Sequence, residues 1–316
     1  MSQRTIKIRK TMTMVVPIVL IIVGVYFFWS YIDEDNSYKN LVDDGGRMAP
    51  GTILTYEMSM ELDGSLVTGI STFKIVAQNA NGYMYQLSYD LRYSDGTSYH
   101  VEDRYRLTND GSTESVNSGI GNVSTIDGKF KMPYVEYFSS GKLYRDYYNP
   151  YTDMMYLSVT EDSSSRAELI SIEAVWQKDD EFTPSAMLGR ELTYSLSGMS
   201  NGVAVSGTYI ETIVAEDSDG NFGIRSMYNY GDYSNVSYSV SGTESADLRR
   251  TGSTTFNTMD GLKNVSVFTL SINGTNFTYY IDSEGTCYRI VLTAGTESLT
   301  MNLTSQRIDN SFVERD

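Results

Sequence analysis

The sequence predicts an all-β protein in which two tandem duplicated antiparallel meander domains follow an N-terminal transmembrane helix. Each domain would close as a curved sheet, a barrel or a sandwich. Three observations support this fold class. Apolar and polar residues alternate with a period of two over most of the chain. Asp-Gly and Asn-Gly pairs separate these runs, which is the strongest local sign of a β-hairpin. The chain also aligns with itself, as an internal repeat does.

The first element is an uncharged apolar segment, residues 14–32. Its 19 residues would form a helix of roughly 28 Å, close to the hydrocarbon thickness of a bilayer. Four basic residues precede this segment and three acidic residues follow it. The positive-inside rule therefore places residues 1–13 in the cytoplasm and the rest of the chain outside the cell membrane. Because its outer end is aromatic and has no Ala-x-Ala cleavage pattern, an uncleaved anchor is favoured over a signal peptide.

Two copies of one module follow a juxtamembrane linker predicted over residues 33–48. At an offset of 138 positions, residues 51–82 match residues 189–220 with 12 identities in 32. A second block matches at an offset of 133 positions. Because apolar runs match as well as turn glycines, we infer a tandem duplication. The predicted repeats span residues 49–178 and 183–308, and a C-terminal tail covers residues 309–316.

Within each repeat, the alternation assigns side chains to the two faces of a sheet. Leu54, Tyr56 and Met58 share the face predicted to point inward, as do Leu87 and Tyr89 after the next turns. The many tyrosines in such positions are typical of a core or its rim rather than of a ligand site. Their size predicts a filled interior.

One segment, residues 166–178, fits either a helix or a strand. Its counterpart in the second repeat alternates strictly, which favours a strand that closes the first repeat. In that strand Ile170 and Ile172 would face inward.

Composition excludes several classes of function. The chain has 24 basic and 40 acidic residues, one histidine and one cysteine. Residues 1–32 hold four of the basic groups and none of the acidic ones, which leaves 20 against 40 beyond them. This acidic outer part argues against a nucleic-acid partner, which requires a positive field. A single cysteine cannot form an internal disulfide. One cysteine and one histidine are also too few for a His/Cys zinc site.

Asn-x-Ser/Thr triplets mark candidate N-glycosylation sites, all of them beyond the predicted anchor. Such triplets also arise from turn composition rich in Asn and Thr. The candidate residues are Asn122, Asn235, Asn264, Asn273, Asn276 and Asn302.

Few residues are candidates for a catalytic or metal-binding site. His100 falls on the polar phase of its strand, and we expect an exposed strand residue rather than a general base. Cys287 is expected to be a half-buried structural residue. Residues 217–221 partly resemble a calcium loop but lack its closing Glu, so a hairpin turn is the better interpretation. We therefore assign no catalytic, cofactor-binding or metal-binding residue and expect no cofactor.

These features predict a non-enzymatic surface or envelope protein that binds or scaffolds. Its partners would be the membrane, through the anchor, and an envelope protein or a glycan. Residues 278–293 resemble the half-barrel lipoprotein carriers over a short stretch, but the chain lacks a lipidated cysteine and no family is assigned. That resemblance implies an alternative, a carrier or sensor that holds a lipophilic ligand in a curved sheet. A third interpretation is a glycan-processing enzyme that uses paired carboxylates.

Overall fold

A computed structural model describes residues 47–62, 64–108, 115–125, 128–149, 154–241 and 248–314. The predicted cytoplasmic tail, the apolar segment 14–32 and nearly all of the predicted linker lie outside these ranges. Within them, no helix combines the length and the apolar character needed to cross a membrane. The described chain is all-β with antiparallel pairing, which confirms the predicted fold class at that level.

The described residues form twenty β-strands and two short 3-10 helices. The helices span Asp179–Glu181 and Asn310–Phe312. The strands are β1 (Arg47–Met48), β2 (Ile53–Leu62), β3 (Ser65–Gln78), β4 (Tyr83–Tyr93), β5 (Ser98–Leu107), β6 (Ser115–Thr125), β7 (Gly128–Ser139), β8 (Lys142–Asn149), β9 (Met154–Thr160), β10 (Ser165–Glu173), β11 (Trp176–Gln177), β12 (Arg190–Ser200), β13 (Val203–Glu216), β14 (Phe222–Tyr230), β15 (Tyr233–Val240), β16 (Arg249–Thr258), β17 (Gly261–Ile272), β18 (Thr275–Ile281), β19 (Cys287–Ala294) and β20 (Glu297–Ile308).

The two halves of the chain have the same strand order. In the first half β2 is central, and the order is β5-β4-β3-β2-β10-β9-β8-β7-β6. In the second half β12 is central, and the order is β15-β14-β13-β12-β20-β19-β18-β17-β16. The long strands of both halves belong to one barrel-like sheet. Each half is thus a meander whose first strand pairs with its last.

Glycines at equivalent positions let each sheet bend. A Cβ atom added to Gly69 would lie 2.0 Å from the carbonyl oxygen of Asp90 on the neighbouring strand. A Cβ atom added to Gly207 would lie 1.9 Å from the carbonyl oxygen of Asn229. No larger residue fits such close backbone contacts, so glycine is required at both positions.

One buried tyrosine in each half links strands that are not neighbours. The Tyr56 hydroxyl donates a hydrogen bond to the carbonyl oxygen of Met155 at 2.8 Å, although β10 separates β2 from β9. The Tyr194 hydroxyl donates to the carbonyl oxygen of Cys287 at 2.9 Å, across the corresponding strands β12 and β19. Both side chains are at most 2% exposed. These bonds hold each curled sheet together from the inside.

The predicted faces are right in the first half of β2 and wrong at two other places. Leu54 and Tyr56 are buried as predicted. Residues 166–173 form a strand as predicted, but Ile170 is 41% exposed whereas Leu169 is buried. The reason is a bulge, because the pairing of β10 with β2 shifts between Leu169 and Ser171 and exchanges the faces. By strict alternation Met84 falls on the face of β4 opposite to Leu87 and Tyr89, which are predicted to point inward. It is nevertheless fully buried, because the second half of the chain covers it.

The two halves meet at what we call the joint, where the end of β3 contacts the end of β13. Gln78 pairs there with Glu216 in antiparallel register. These residues are counterparts at the repeat offset of 138. Pairing of a residue with its own counterpart is what a two-fold axis produces. The joint therefore has the geometry of a symmetric dimer within one chain. Its buried apolar residues are Ala77, Met84, Leu107, Leu188, Val214, Ala215 and Phe312.

We expect Tyr56→Phe and Tyr194→Phe each to lower the free energy of unfolding by about 1–3 kcal/mol, because each leaves a buried carbonyl oxygen without its donor. Burial raises the pKa of both hydroxyls, so the folded state keeps them neutral. Their contribution to stability is therefore present below the unfolded-state pKa of about 10 and is lost as the pH rises above it.

Urea unfolding of the two variants between pH 7 and pH 11 measures both effects, and each variant should lose less stability above pH 10 than the native chain. The matched control is Tyr233→Phe, because Tyr233 is 48% exposed. Equal stability of all four proteins would contradict a structural role for the two hydroxyls.

Candidate functional site

A cleft of about 500 Å³ lies at the joint and is lined by both halves of the chain. We call it the open cleft. Ile75, Val76 and Val240 supply apolar surface, and the lining also has one basic residue, Lys74, and two acidic residues, Asp217 and Asp219. The volume is in the range of sites for small ligands, which occur preferentially between domains. Neither histidine nor cysteine is among its lining residues.

The loop over residues 217–221 forms one wall of the open cleft. The carboxylate of Asp217 accepts hydrogen bonds from the backbone N–H groups of Asp219 and Asn221 at 2.9 and 2.8 Å. Its second oxygen accepts from the Asn221 side chain at 2.8 Å. Both oxygens therefore shape the turn, in agreement with a hairpin rather than a calcium loop. In the described part of the chain, no group of three or more His, Cys, Asp or Glu residues is placed to hold a metal.

The two-fold relation of the halves implies a second cleft on the other side of the joint. The chain's own C-terminal turn, residues 309–314, occupies this second cleft, which we call the filled cleft. Asp309 donates its N–H to the carbonyl oxygen of Gly189 at 2.7 Å, and the Phe312 carbonyl oxygen accepts from Ala80 at 3.1 Å. The Phe312 ring is 8% exposed and lies 5.4 Å from the guanidinium of Arg225. A segment predicted as a tail is thus part of the core.

A buried arginine fixes the loop that holds the C-terminal turn. Arg47 donates hydrogen bonds to the carbonyl oxygens of Asn79, Ala80 and Gly82, at 2.7, 3.2 and 3.1 Å. Its guanidinium also lies 4.9 Å from the ring centre of Tyr83. Arg47 falls within the predicted linker, residues 33–48, because nothing in the local sequence pattern marks it as buried.

His100 lies in a separate surface groove of about 420 Å³. Its Nε2 atom is 2.9 Å from the Glu102 carboxylate, and its Nδ1 atom contacts the Asp90 carboxylate. The hydrogen bond to Glu102, followed by that to Asp90, raises the imidazole pKa. Both ring nitrogens are thus engaged by carboxylates, and the side chain is 53% exposed. The prediction of an exposed strand residue is confirmed.

A third recess, of about 220 Å³, contains an internal ion pair. The buried Glu136 carboxylate accepts hydrogen bonds from the Asn117 amide at 2.7 Å and from the Arg145 Nε at 2.8 Å. The bond from Asn117 and then that from Arg145 hold the Glu136 pKa below its usual range. Because its partners satisfy this carboxylate, it has the character of a structural group.

Three tyrosines inside the second half pack against one another with their rings tilted. The rings of Tyr194 and Tyr209 are 5.5 Å apart, and those of Tyr209 and Tyr228 are 4.6 Å apart. Cys287 is half-buried, as predicted. Burial raises the pKa of its thiol to about 12, so the thiol stays protonated at neutral pH and is a poor nucleophile. These residues have the role of a core.

The candidate glycosylation sites lie mostly on exposed surface. Asn302 differs, because it is half-buried and accepts a hydrogen bond from the Nε of Arg289 at 2.7 Å. Modification of these residues stays a prediction. The exposed sites are Asn122, Asn235, Asn264, Asn273 and Asn276.

The sequence pattern marks one part of the open cleft, residues 217–221, but indicates only a turn there. The repeat offset contained a further signal. It aligns residues 217–220 of this loop with residues 79–82, and it aligns Gly189 with Gly51, which identifies the two walls of each cleft as counterparts. The contact between the halves could not be found in this way, because an alignment of repeats says nothing about how they pack.

Comparison with known proteins gives no assignment. No family model and no curated protein matches the chain. Among solved structures, a candidate lipoprotein of Parabacteroides distasonis ATCC 8503 is 9% identical, with 84% of this chain and 100% of that chain covered and a TM-score of 0.17. A β-barrel-like protein of unknown function from Brucella abortus is 8% identical, with coverage of 84% and 100% and a TM-score of 0.16. A protein of unknown function from Nostoc punctiforme PCC 73102 is 12% identical, with coverage of 82% and 96% and a TM-score of 0.17. At these TM-scores the likenesses support no conclusion about this chain.

We expect His100 to titrate above the ordinary pKa of 6.5, because both neighbouring carboxylates favour the charged imidazole. Its contribution to stability is then present below pH 6.5 and is lost as the pH rises through the raised pKa. Proton NMR measures the midpoint directly, since the chain has a single histidine.

Glu102→Gln should lower the His100 midpoint more than Asp90→Asn does, because the bond to Glu102 is the larger cause of the shift. Arg249→Gln, at an exposed residue outside this groove, is the control and should leave the midpoint unchanged. A native midpoint at or below 6.5 would show that the two carboxylates do not act on the ring.

Proposed function

We propose that this chain is a membrane-anchored, extracytoplasmic protein of the cell surface or envelope, with a non-enzymatic binding or scaffolding role. In this proposal the two halves are duplicated domains, and the partner binds to their outer surface at the joint. The anchor is the apolar segment 14–32, and its flanking charges give the orientation. An envelope protein or a glycan is the class of partner we expect.

The observation that carries the binding role is the open cleft. A recess of about 500 Å³ is built by both halves, and its lining alternates apolar side chains with hydroxyl and charged groups. Such mixed lining suits recognition, because apolar surface supplies affinity and a few polar groups fix orientation.

The same strand order in both halves supports the proposed duplication. Equivalent hydrogen bonds support it as well. The hydroxyl of Thr108 accepts from the N–H of Tyr83 at 2.8 Å, and that of Ser241 accepts from Phe222 at 2.7 Å. These pairs lie at matching positions, where β4 and β14 begin. A meander that repeats its turns, its strand order and its side-chain bonds is expected from a duplicated module.

The anchor and its orientation are tested with a specific protease site inserted after Asp44, in a chain with a tag at each end. Protease added outside intact cells should release the C-terminal tag and leave a short N-terminal fragment in the membrane. The same site inserted after Gln3 is the matched control and should resist cleavage. Protection of the first site would overturn the orientation, and a mature chain that begins beyond residue 29 would overturn the uncleaved anchor.

The lipophilic carrier is the rival function, and lipid analysis separates it from the binding role. Tyr56, Tyr156 and Tyr194 are each at most 2% exposed inside the two halves, which favours filled interiors. We therefore expect solvent extraction of the protein, purified from native membranes, to yield no stoichiometric lipid by mass spectrometry. The protein refolded from denaturant without lipid is the control. One lipid per chain in the native sample alone would support the carrier instead.

A further inference from the structure

We propose that the open cleft binds a short turn of a partner polypeptide that carries one aromatic side chain. The inference rests on the binding role proposed above and names its ligand class. It follows from the two-fold relation of the halves, because the other cleft of the joint already contains such a segment. Phe312 and its turn show which ligand this architecture accommodates.

The walls of the two clefts correspond residue by residue. Lys74 faces Gln86 across β3 and β4, and its counterpart Thr212 faces Arg225 across β13 and β14. Tyr105 and Tyr238 follow at equivalent places on β5 and β15. Apolar walls are shared too, since Tyr238, Val214 and Leu188 pack with Phe312 in the filled cleft. The open cleft has Tyr105, Val76 and Pro50 in the corresponding places.

An unused backbone donor marks the open cleft. In the filled cleft, Ala80 donates its N–H to the carbonyl oxygen of Phe312 at 3.1 Å. Ser218 is the counterpart of Ala80 in the loop of the open cleft. Among the described residues, the Ser218 N–H makes no backbone hydrogen bond. It is exposed and can accept a peptide carbonyl in the same way.

The two clefts differ at two counterpart positions, and these differences change the polarity of the ligand that the open cleft would prefer. In the filled cleft, the Asn81 amide donates to the carbonyl oxygens of Ser311 and Glu314, at 3.3 and 2.9 Å. Asp219 takes that place in the open cleft, and a carboxylate accepts hydrogen bonds but does not donate them. The partner turn should therefore present N–H groups or a cationic side chain to Asp219. Lys74, in the place of Thr212, offers a cation to an aromatic ring or an acidic group.

A peptide with the protein's own turn sequence tests this inference. The probe is a fluorescent peptide of residues 308–314, and its matched control has alanine in the place of Phe312. Both are titrated to about 1 mM against the full-length chain in detergent. We expect saturable binding of one probe per chain and at least tenfold weaker binding of the control peptide.

Protein variants then locate the site. Lys74→Trp should abolish binding by filling the open cleft, whereas Thr68→Trp, on the same exposed face of β3, should leave it unchanged. Asp219→Asn restores the amide of the filled cleft and should tighten binding by about two- to tenfold, the worth of one hydrogen bond. Phe312→Ala empties the filled cleft and should raise the stoichiometry to two.

Two outcomes would overturn the inference. The first is the absence of saturable binding to the native chain, including the case in which only Phe312→Ala binds the probe. The second is binding that Lys74→Trp does not affect. The native chain and the two tryptophan variants decide the question even if Phe312→Ala fails to fold. The membrane orientation and the lipid content are measured separately. A negative peptide result would therefore contradict only the proposed ligand class and not the proposed envelope role.

Discussion

The antiparallel contact between the ends of β3 and β13 is the constraint on which the rest of the structure depends. Gln78 and Glu216 pair there as counterparts, so the two halves are related as the subunits of a symmetric dimer. The contact buries the outward face of each sheet at one end, and this is why Met84 is fully buried on a face predicted to be exposed. It also creates two equivalent clefts. Every candidate for function at the joint follows from this geometry.

The symmetry is broken by what lies beyond each repeat. After β20 the chain turns into the joint and buries Phe312, whereas after β10 it continues as β11 and pairs with β1. The segment that follows β20 occupies one cleft, and among the described residues no segment occupies the other. The open cleft has the acidic residue Asp219 in the place of the Asn81 amide that binds the turn. A shared scaffold thus produces a recess that differs in chemistry from its counterpart.

Tyrosine does in these interiors what leucine or phenylalanine cannot. The hydroxyls of Tyr56 and Tyr194 reach backbone carbonyls on strands two places away in the sheet. These internal links join strands that the backbone ladder does not connect directly, so they help to fix the curvature of each curled sheet. This role explains why tyrosine stands at both counterpart positions, Tyr56 and Tyr194.

The sequence by itself determined the all-β class, the hairpin turns and the inward face of β2. These features follow from a two-residue period and from turn glycines, which act over only a few positions. It also placed His100 on an exposed polar face. Only the tertiary structure decided the burial of Arg47 and Met84, the reversal of Ile170 at a bulge, and the use of the C-terminal residues as core. Each of these depends on contacts between residues far apart in the chain. Local alternation contains no information about which distant surface will cover a strand, so the clefts at the joint could be found only in the folded molecule.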